Sequence, residues 1–188
     1  MILNETRPPS AAANAGIGGD SWVDPTNVYA SDDARATVSI TISESDYLRV
    51  TGFGFAAASI ATEIQGVTVD IEWSGTTQNY AVFLVWDATQ KGTSKTGTPP
   101  ASESVTTLGS SSDLWGATFV AGANGDVLKS SFGVDIRVSG FGLTSAAIDA
   151  VTITVTYFAP VDPIHLNMAW QNNQTVILRR KPEMIASD

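Results

Sequence analysis

Apolar and polar residues alternate along several segments of the chain with the two-residue period of a half-buried β-strand. In the clearest segment, residues 63–73, one face of the predicted strand carries Val67, Val69, Ile71 and Trp73. The same period recurs at residues 37–42, 134–138 and 151–157. Turn clusters rich in Gly, Ser, Thr and Asn separate these segments, and no convincing amphipathic helix is present. We therefore predict an all-β fold, an antiparallel β-sandwich that is jelly-roll-like, although an immunoglobulin-like strand order shares the same pattern.

One further segment, residues 81–86, is apolar at every position and so does not alternate. A strand of this kind is either covered on both faces or forms an interface with another chain. We predict a subunit contact here, with Val82, Leu84 and Trp86 as candidate interface residues.

The composition changes at both ends of the chain. Residues 1–19 contain two adjacent prolines and several Ala and Gly residues, which predicts an extended N-terminal arm. The sandwich domain is expected at residues 20–159. Two prolines spaced three apart then end the last strand, and residues 160–188 are expected to form a linker, a β-hairpin and a basic tail. Because a lone hairpin is marginally stable, it should lie against the main domain or another chain. Its candidate interface residues are Leu166, Met168, Trp170, Val176, Leu178, Arg179 and Arg180.

Composition and charge narrow the classes of partner. The chain of 188 residues is 43% hydrophobic and 15% charged, so it can bury a core. Ten Lys and Arg residues against nineteen Asp and Glu residues give a net charge of −9, which argues against binding to nucleic acid or to an anionic membrane. No cysteine is available for disulfides, thiolate metal sites or nucleophilic catalysis. The N-terminus lacks the pattern of a signal peptide, and no apolar run reaches the length of a transmembrane helix.

Candidate catalytic groups are few. His165 is the single histidine, and no Gly-x-Ser-x-Gly turn accompanies it, so we interpret it as a surface or interface residue. Asp70 and Glu72 lie on the polar face of one predicted strand, about 7 Å apart. Glycoside hydrolysis uses such carboxylate pairs, but solvation of an outer strand face explains these two without any chemistry. We therefore predict a protein that is not an enzyme, with no catalytic residue and no cofactor.

A calcium site is a second chemical candidate. Asp20, Asp24, Asp32 and Asp33 fall within fourteen residues, and calcium takes carboxylate and carbonyl oxygens from loops. Their spacing is not that of an EF-hand, and the preference of Asp for turns explains them equally well, so both interpretations stay open and no metal ligand is assigned.

Aromatic residues are interpreted as structural. The five tryptophans could be carbohydrate platforms, but strand tryptophans are more often core or interface anchors, and we favour that interpretation for Trp22, Trp73, Trp86, Trp115 and Trp170. Two Gly-Phe-Gly pieces, at residues 52–54 and 140–142, are each predicted to be a strand end whose Phe plugs the sandwich.

Several segments, taken in order, resemble a β-sandwich module of structural proteins from tailed bacteriophages and prophages. They are residues 18–28, 46–55, 60–69, 108–116, 131–134 and 150–157. The most specific piece is Ser-Ser-Asp-Leu-Trp-Gly, ending at Gly116, followed by Phe-Gly-Val at residues 132–134. The resemblance covers roughly residues 18–158. The chain departs from the pattern after Gly116, where similar modules carry a second Trp and a Pro-Ala-Asp-like stretch.

The resemblance implies a virion component without enzymatic activity. Because the chain is short, with an expected extension at each end, we predict a capsid decoration or cement protein on the particle surface. Its expected partners are the major capsid protein or neighbouring copies, in a homo-oligomer such as a trimer. It would be made in the host cytoplasm without a signal peptide. The alternative is a receptor- or glycan-binding module of a tail or head fibre, since such sandwiches occur in both settings.

Overall fold

A computed structural model of the chain describes residues 1–16, 18–41 and 43–160. Within these ranges the chain forms ten strands joined by turns and three short 3-10 helices. The strands are β1 (Ile2–Arg7), β2 (Ala11–Ala15), β3 (Ala36–Ile40), β4 (Tyr47–Thr51), β5 (Glu63–Gly75), β6 (Asn79–Trp86), β7 (Thr89–Gly97), β8 (Ser104–Gly109), β9 (Gly133–Ser139) and β10 (Thr144–Phe158). The 3-10 helices are Pro25–Val28, Ala57–Ile60 and Asp126–Leu128.

The strands pair into two antiparallel sheets of five strands each. In the first, sheet A, β1 and β3 lie along one side of β10, followed by β5 and β8. In the second, sheet B, the order is β2-β4-β9-β6-β7. Successive strands pass mostly from one sheet to the other, as in a jelly roll. The prediction of an antiparallel, jelly-roll-like β-sandwich is confirmed.

The core lies between the two sheets, where the alternation in sequence places it. The four apolar residues predicted to share one face of the 63–73 strand are all fully buried, and the segments predicted as strands near residues 37, 134 and 151 became β3, β9 and β10. Trp73, Trp115, Tyr157, Phe55 and Phe132 are the largest fully buried side chains. Burial of such residues is the main stabilising contribution in a sandwich of this kind.

The N-terminal segment is extended, as predicted, but it is built into the sandwich. β1 pairs with β10 over six residues, and β2 pairs with β4 over five. The two prolines between them carry the chain from sheet A to sheet B, at a position where no ladder hydrogen bond is needed. The side chain of Glu5 is buried and accepts a hydrogen bond from the Ala58 amide at 3.0 Å. Residues 1–16 therefore extend the sheets and do not form a free arm.

The prediction of a subunit contact in the all-apolar segment is wrong for its three named residues. Val82, Leu84 and Trp86 point into the core of the chain itself and are at most 5% exposed. On the opposite face of β6, Ala81 and Phe83 are half-buried and Val85 is buried. One face of the strand is therefore fully covered within the chain, and the other remains partly exposed.

Two smaller expectations have mixed outcomes. Phe53 is 3% exposed between two glycines with positive φ, so the first Gly-Phe-Gly piece does plug the sandwich. Phe141 is 78% exposed, so the second does not. The remaining predicted interface residues, from Leu166 to Arg180, and also His165, lie outside the described residues. In the part of the chain that is described, no helix is long and apolar enough to cross a membrane.

Candidate functional site

The outer face of sheet B carries a group of aromatic and polar side chains on its central strands. On β4, Tyr47 and Arg49 alternate with buried residues and therefore point outward. On β9, Asp135 and Arg137 alternate in the same way, and Asp135 lies directly opposite Phe83 of β6 in the ladder. Because side chains alternate between the two faces of a strand, five aromatic or charged residues of β4, β9 and β6 lie on the same outer face.

The centre of this face is an ion pair that a third side chain completes. Arg49 donates from Nε to Oδ1 of Asp135 and from Nη2 to Oδ2, both at 2.8 Å. The amide of Gln90, on β7, donates to Oδ2 of Asp135 at 3.0 Å. Asp135 is fully buried, and its hydrogen bonds with Arg49 raise the pKa of the guanidinium above its ordinary value. The bidentate geometry fixes the orientation of both planar groups.

Two aromatic rings lie beside this ion pair. Tyr47 and Phe83 meet edge to face, with ring centroids 6.0 Å apart and planes at 86°. The guanidinium carbon of Arg137 lies 5.5 Å from the centroid of the Tyr47 ring. Arg137 also donates to Glu44 at 2.8 Å, so its position is held from two sides. The tyrosine ring is therefore held by its neighbours on an open sheet face.

A shallow trough of about 580 Å³ runs across these residues. Its floor includes Tyr47, Arg49, Gln90 and Asp135, and its rims come from the end of β2 and from the turn between β6 and β7. At that turn Ala88 has a φ of 58°, a left-handed conformation that costs a non-glycine residue about 1 kcal/mol or more. The trough combines an aromatic surface with fixed hydrogen-bonding groups, which suits a ligand that has both apolar ring faces and hydroxyl groups.

The two carboxylates that the sequence analysis considered for hydrolysis, and explained by solvation, lie elsewhere. Asp70 and Glu72 project from the outer face of sheet A, as the alternation predicts, so they are on the opposite side of the sandwich from the trough. They line a separate groove that also includes Tyr29, a residue the sequence analysis did not associate with them.

The four aspartates considered for calcium do not converge on one point. Asp20 accepts hydrogen bonds from the backbone and the hydroxyl of Thr41, at 2.6 and 2.7 Å. Asp32 accepts one from the Ala34 amide at 3.1 Å. The bond between Asp32 and Ala34 spans two residues and is the turn interaction that the alternative interpretation expects, whereas the bonds of Asp20 join segments 21 residues apart.

Asp33 instead joins two carboxylates from distant parts of the chain. One carboxylate oxygen from each of Asp33, Glu103 and Asp149 lies within 4.8 Å of the other two. Arg35 donates to Asp33 at 2.8 Å and also to Glu103, and the hydrogen bond with Glu103 raises the pKa of Arg35. The guanidinium of Arg35 therefore supplies positive charge to this cluster, in which Asp33 and Glu103 are exposed and Asp149 is buried. We interpret the cluster as an ion-pair network.

The tryptophans are structural in the described part of the chain. Trp22, Trp73, Trp86 and Trp115 are all at most 5% exposed. The indole of Trp115 donates to the carbonyl of Val67 at 2.9 Å, beneath the loop that carries the Ser-Ser-Asp-Leu-Trp-Gly piece. No sugar could reach this ring without unfolding the loop, so Trp115 is excluded as a glycan platform in this fold. Trp170 lies outside the described residues.

Sequence reasoning missed the trough residues for two reasons. The alternation at residues 134–138 did place Asp135 and Arg137 on an outer face, but nothing in the sequence pairs them with Arg49 or Tyr47. The all-apolar run also concealed Phe83 among core residues. The one available signal was the alternation of Tyr47 and Arg49 with Leu48 and Val50, which is typical of a half-buried strand.

Comparison with known proteins adds little beyond architecture. No protein-family model matches the chain, and no curated protein matches it. Among solved structures, BiXyn10A CBM1 in its apo form is 7% identical, with a TM-score of 0.40 over 81% of this chain and 99% of that one. A mutant of CBM29-2, a family 29 carbohydrate-binding module, is 10% identical, with a TM-score of 0.43 over 92% and 99%. A GH26-CBM35 β-(1,4)-mannanase of Podospora anserina is 14% identical, with a TM-score of 0.25 over 86% of this chain and 29% of that one. Values this low carry no argument about what this chain binds.

Proposed function

We propose that this chain is a non-catalytic binding module that holds an oligosaccharide in the trough on the outer face of sheet B. The observation that carries the proposal is the trough itself, where the Tyr47 ring lies beside the Arg49–Asp135–Gln90 network. A sugar ring has an apolar face that packs on an aromatic ring and a rim of hydroxyls that need hydrogen-bonding partners. Both requirements are met within one depression.

Preorganisation of the polar groups supports the same conclusion. Arg49 uses Nε and Nη2 to hold Asp135, so its Nη1 is not needed for that pair and can face a ligand hydroxyl. Arg49 is 29% exposed at its side chain, whereas Asp135 is fully buried and works as an anchor for the guanidinium. Groups that are fixed before binding lose less conformational entropy when a ligand arrives.

The charges on this face favour binding over catalysis. Among the residues that the structure describes, the carboxylates beside the trough pair with arginines, Asp135 with Arg49 and Glu44 with Arg137. General acid–base chemistry on a glycosidic bond needs a pair of carboxyl groups that flank it and can exchange protons. A buried carboxylate locked in a bidentate ion pair cannot take that role.

The setting that we propose follows from the resemblance over residues 18–158: a receptor- or glycan-binding module of a phage tail or head fibre. The geometry supports this alternative better than capsid decoration. Decoration through the chain's own extensions would use residues 1–19 and residues 160–188. β1 and β2 belong to the sheets and so offer no free arm, and residues 161–188 lie outside the described residues.

The test is a glycan array probed with the labelled full chain and with Tyr47→Ala. We expect retention of at least one oligosaccharide class and a loss of about tenfold in affinity for Tyr47→Ala, corresponding to about 1.4 kcal/mol of ring contact. Phe141→Ala is the matched control, because Phe141 is an exposed aromatic residue that lines neither the trough nor any other depression described for this chain. An array without any retained glycan, or equal loss in both variants, would contradict the proposal.

A further inference from the structure

A second depression lies on the outer face of sheet A, on the opposite side of the sandwich from the trough. It has a volume of about 340 Å³, which is at the lower end of the range for small-molecule sites. Its lining includes Tyr29, Asp70, Glu72, Val105 and Thr152. We call it the acidic groove. The proposed function makes no use of it.

The strand register sets the two carboxylates in adjacent rows across three strands. Asp70 of β5 lies between Thr152 of β10 and Thr107 of β8. Glu72 lies two residues further along β5, about 7 Å away at the rise of a strand. Its neighbours in the ladder are apolar, with Ala150 on one side and Val105 on the other. In the groove, the carboxylate of Asp70 therefore lies between two threonine hydroxyls, and that of Glu72 lies between two apolar side chains.

These carboxylates differ from those of the trough because no cation neutralises them. Oδ1 of Asp70 accepts a hydrogen bond from the Thr107 hydroxyl at 2.6 Å. Neither Oδ2 of Asp70 nor Glu72 accepts a hydrogen bond or an ion pair from any residue that the structure describes. No Lys or Arg is among the residues that line the groove. The two acids face outward with unused acceptor oxygens and about two uncompensated negative charges.

The walls of the groove are apolar and fixed. Tyr29 is half-buried, packs against the core, and its backbone bridges to Ala150. Val105 is 58% exposed on the edge strand β8, and Pro8 closes another side. An ammonium group near an aromatic ring gains a cation–π attraction in addition to its ion pair with a carboxylate.

We propose that the acidic groove binds an oligosaccharide of amino sugars, with protonated amines on Asp70 and Glu72 and a sugar ring against Tyr29. The charge complementarity accounts for the amines, the aromatic wall accounts for the ring, and the flanking threonines supply partners for hydroxyls. This site is independent of the trough, so either proposal can fail without the other.

The test uses two probes that share one backbone and differ in whether each amine is free or acetylated, at a pH below the pKa of the sugar amines so that the free amines are protonated. The hexamer of β-1,4-linked glucosamine carries free amines, whereas the hexamer of N-acetylglucosamine has the same backbone without them. Isothermal titration of the full chain at 20 mM NaCl is expected to show binding of the amine hexamer at least tenfold tighter than of the acetylated one. Binding should weaken further at 300 mM NaCl, because salt screens the ion pairs.

Three variants locate the binding. Asp70→Asn/Glu72→Gln keeps the side-chain shapes and is expected to lose at least tenfold in affinity, and Tyr29→Ala to lose several-fold. Glu63→Gln is the matched control, because Glu63 is an exposed carboxylate on the same strand outside the groove. Thermal melts check that each variant is folded.

Four results would overturn the inference. They are no binding of the amine hexamer, equal affinity for both hexamers, an equal loss in Glu63→Gln and the double variant, or a loss in Tyr47→Ala without one in Tyr29→Ala. The last result would place the amine hexamer in the trough and would support the proposed function at the expense of this second site.

Discussion

Replacing Arg49 by methionine would leave the carboxylate of Asp135 buried without its cation. Asp135 is fully buried, and Arg49 donates to it twice at 2.8 Å. In Arg49→Met the remaining donor to this carboxylate is Gln90, at 3.0 Å. Removing one partner of a buried ion pair costs about 3–5 kcal/mol, because an uncompensated charge stays in a low-dielectric environment. At about 2–4 °C per kcal/mol for a domain of this size, Tm should fall by roughly 6–20 °C.

Replacing Asp135 instead of Arg49 should lower the free energy of unfolding by a smaller amount, so comparing the two substitutions tests the reasoning. In Asp135→Leu the orphaned group is Arg49, whose side chain is 29% exposed and can turn to water, so we expect a cost of about 1–2 kcal/mol. The double variant Arg49→Met/Asp135→Leu removes both charges and should have nearly wild-type stability. Guanidinium unfolding of the four proteins, followed by tryptophan fluorescence, gives the coupling free energy between the two residues, expected to be at least about 3 kcal/mol.

Arg137→Met is the control for loss of an arginine as such. Arg137 pairs with Glu44, whose side chain is 38% exposed, so water can solvate this carboxylate after the substitution. Exposed pairs of this kind contribute less than about 1 kcal/mol. If Arg49→Met destabilises the protein no more than Arg137→Met does, the buried ion pair of the trough does not have the energetic role assigned to it.

Three further predictions test the fold around the site. Asp113→Ala removes the carboxylate that accepts hydrogen bonds from Lys95 and from the Trp115 amide. Its free energy of unfolding, measured by chemical denaturation at pH 7, should be lower than that of the wild type by about 1.5–3 kcal/mol, and that of Asp113→Asn by about half as much. The hydrogen bond from Lys95 lowers the pKa of Asp113, so its charge-dependent contribution is present above pH 4 and should vanish as unfolding curves are repeated at lower pH. Ala88→Gly relieves a left-handed conformation and should raise stability by about 0.5–1 kcal/mol, and an unchanged or lower midpoint would contradict this. Deletion of residues 1–16 removes the strands β1 and β2 and should lower the free energy of unfolding by at least about 5 kcal/mol. If these residues formed a free arm, their deletion would leave the unfolding curve unchanged.

The layered fold was accessible from sequence because four core strands, β3, β5, β9 and β10, each carry their own alternation of apolar and polar residues. The alternation at residues 63–73 alone assigns one face of β5 to the core, and all its apolar members are buried. The N-terminal strands carry no such signal. β2 is Ala-Ala-Ala-Asn-Ala and is exposed or half-buried throughout, so it is held by backbone pairing with β4, which leaves no trace in the side-chain pattern.

The site was less accessible because it depends on which strands become neighbours. Arg49 and Asp135 are 86 residues apart, and only the β4–β9 ladder brings them together. Either residue alone has the pattern of a solvated charge on an outer face. The apolar run at residues 81–86 led to the opposite error, because Val82, Leu84 and Trp86 were predicted to contact a partner subunit and are buried in the core of the chain itself.

The most direct test of the central claim is to map, by amide chemical-shift perturbation in the full chain, where an oligosaccharide retained on the array binds. For an oligosaccharide without amines, bound in the trough, the largest shifts should fall at Tyr47, Arg49, Gln90 and Asp135, with little change on sheet A. Shifts confined to other surfaces, with these four amides unmoved at saturation, would contradict the claim.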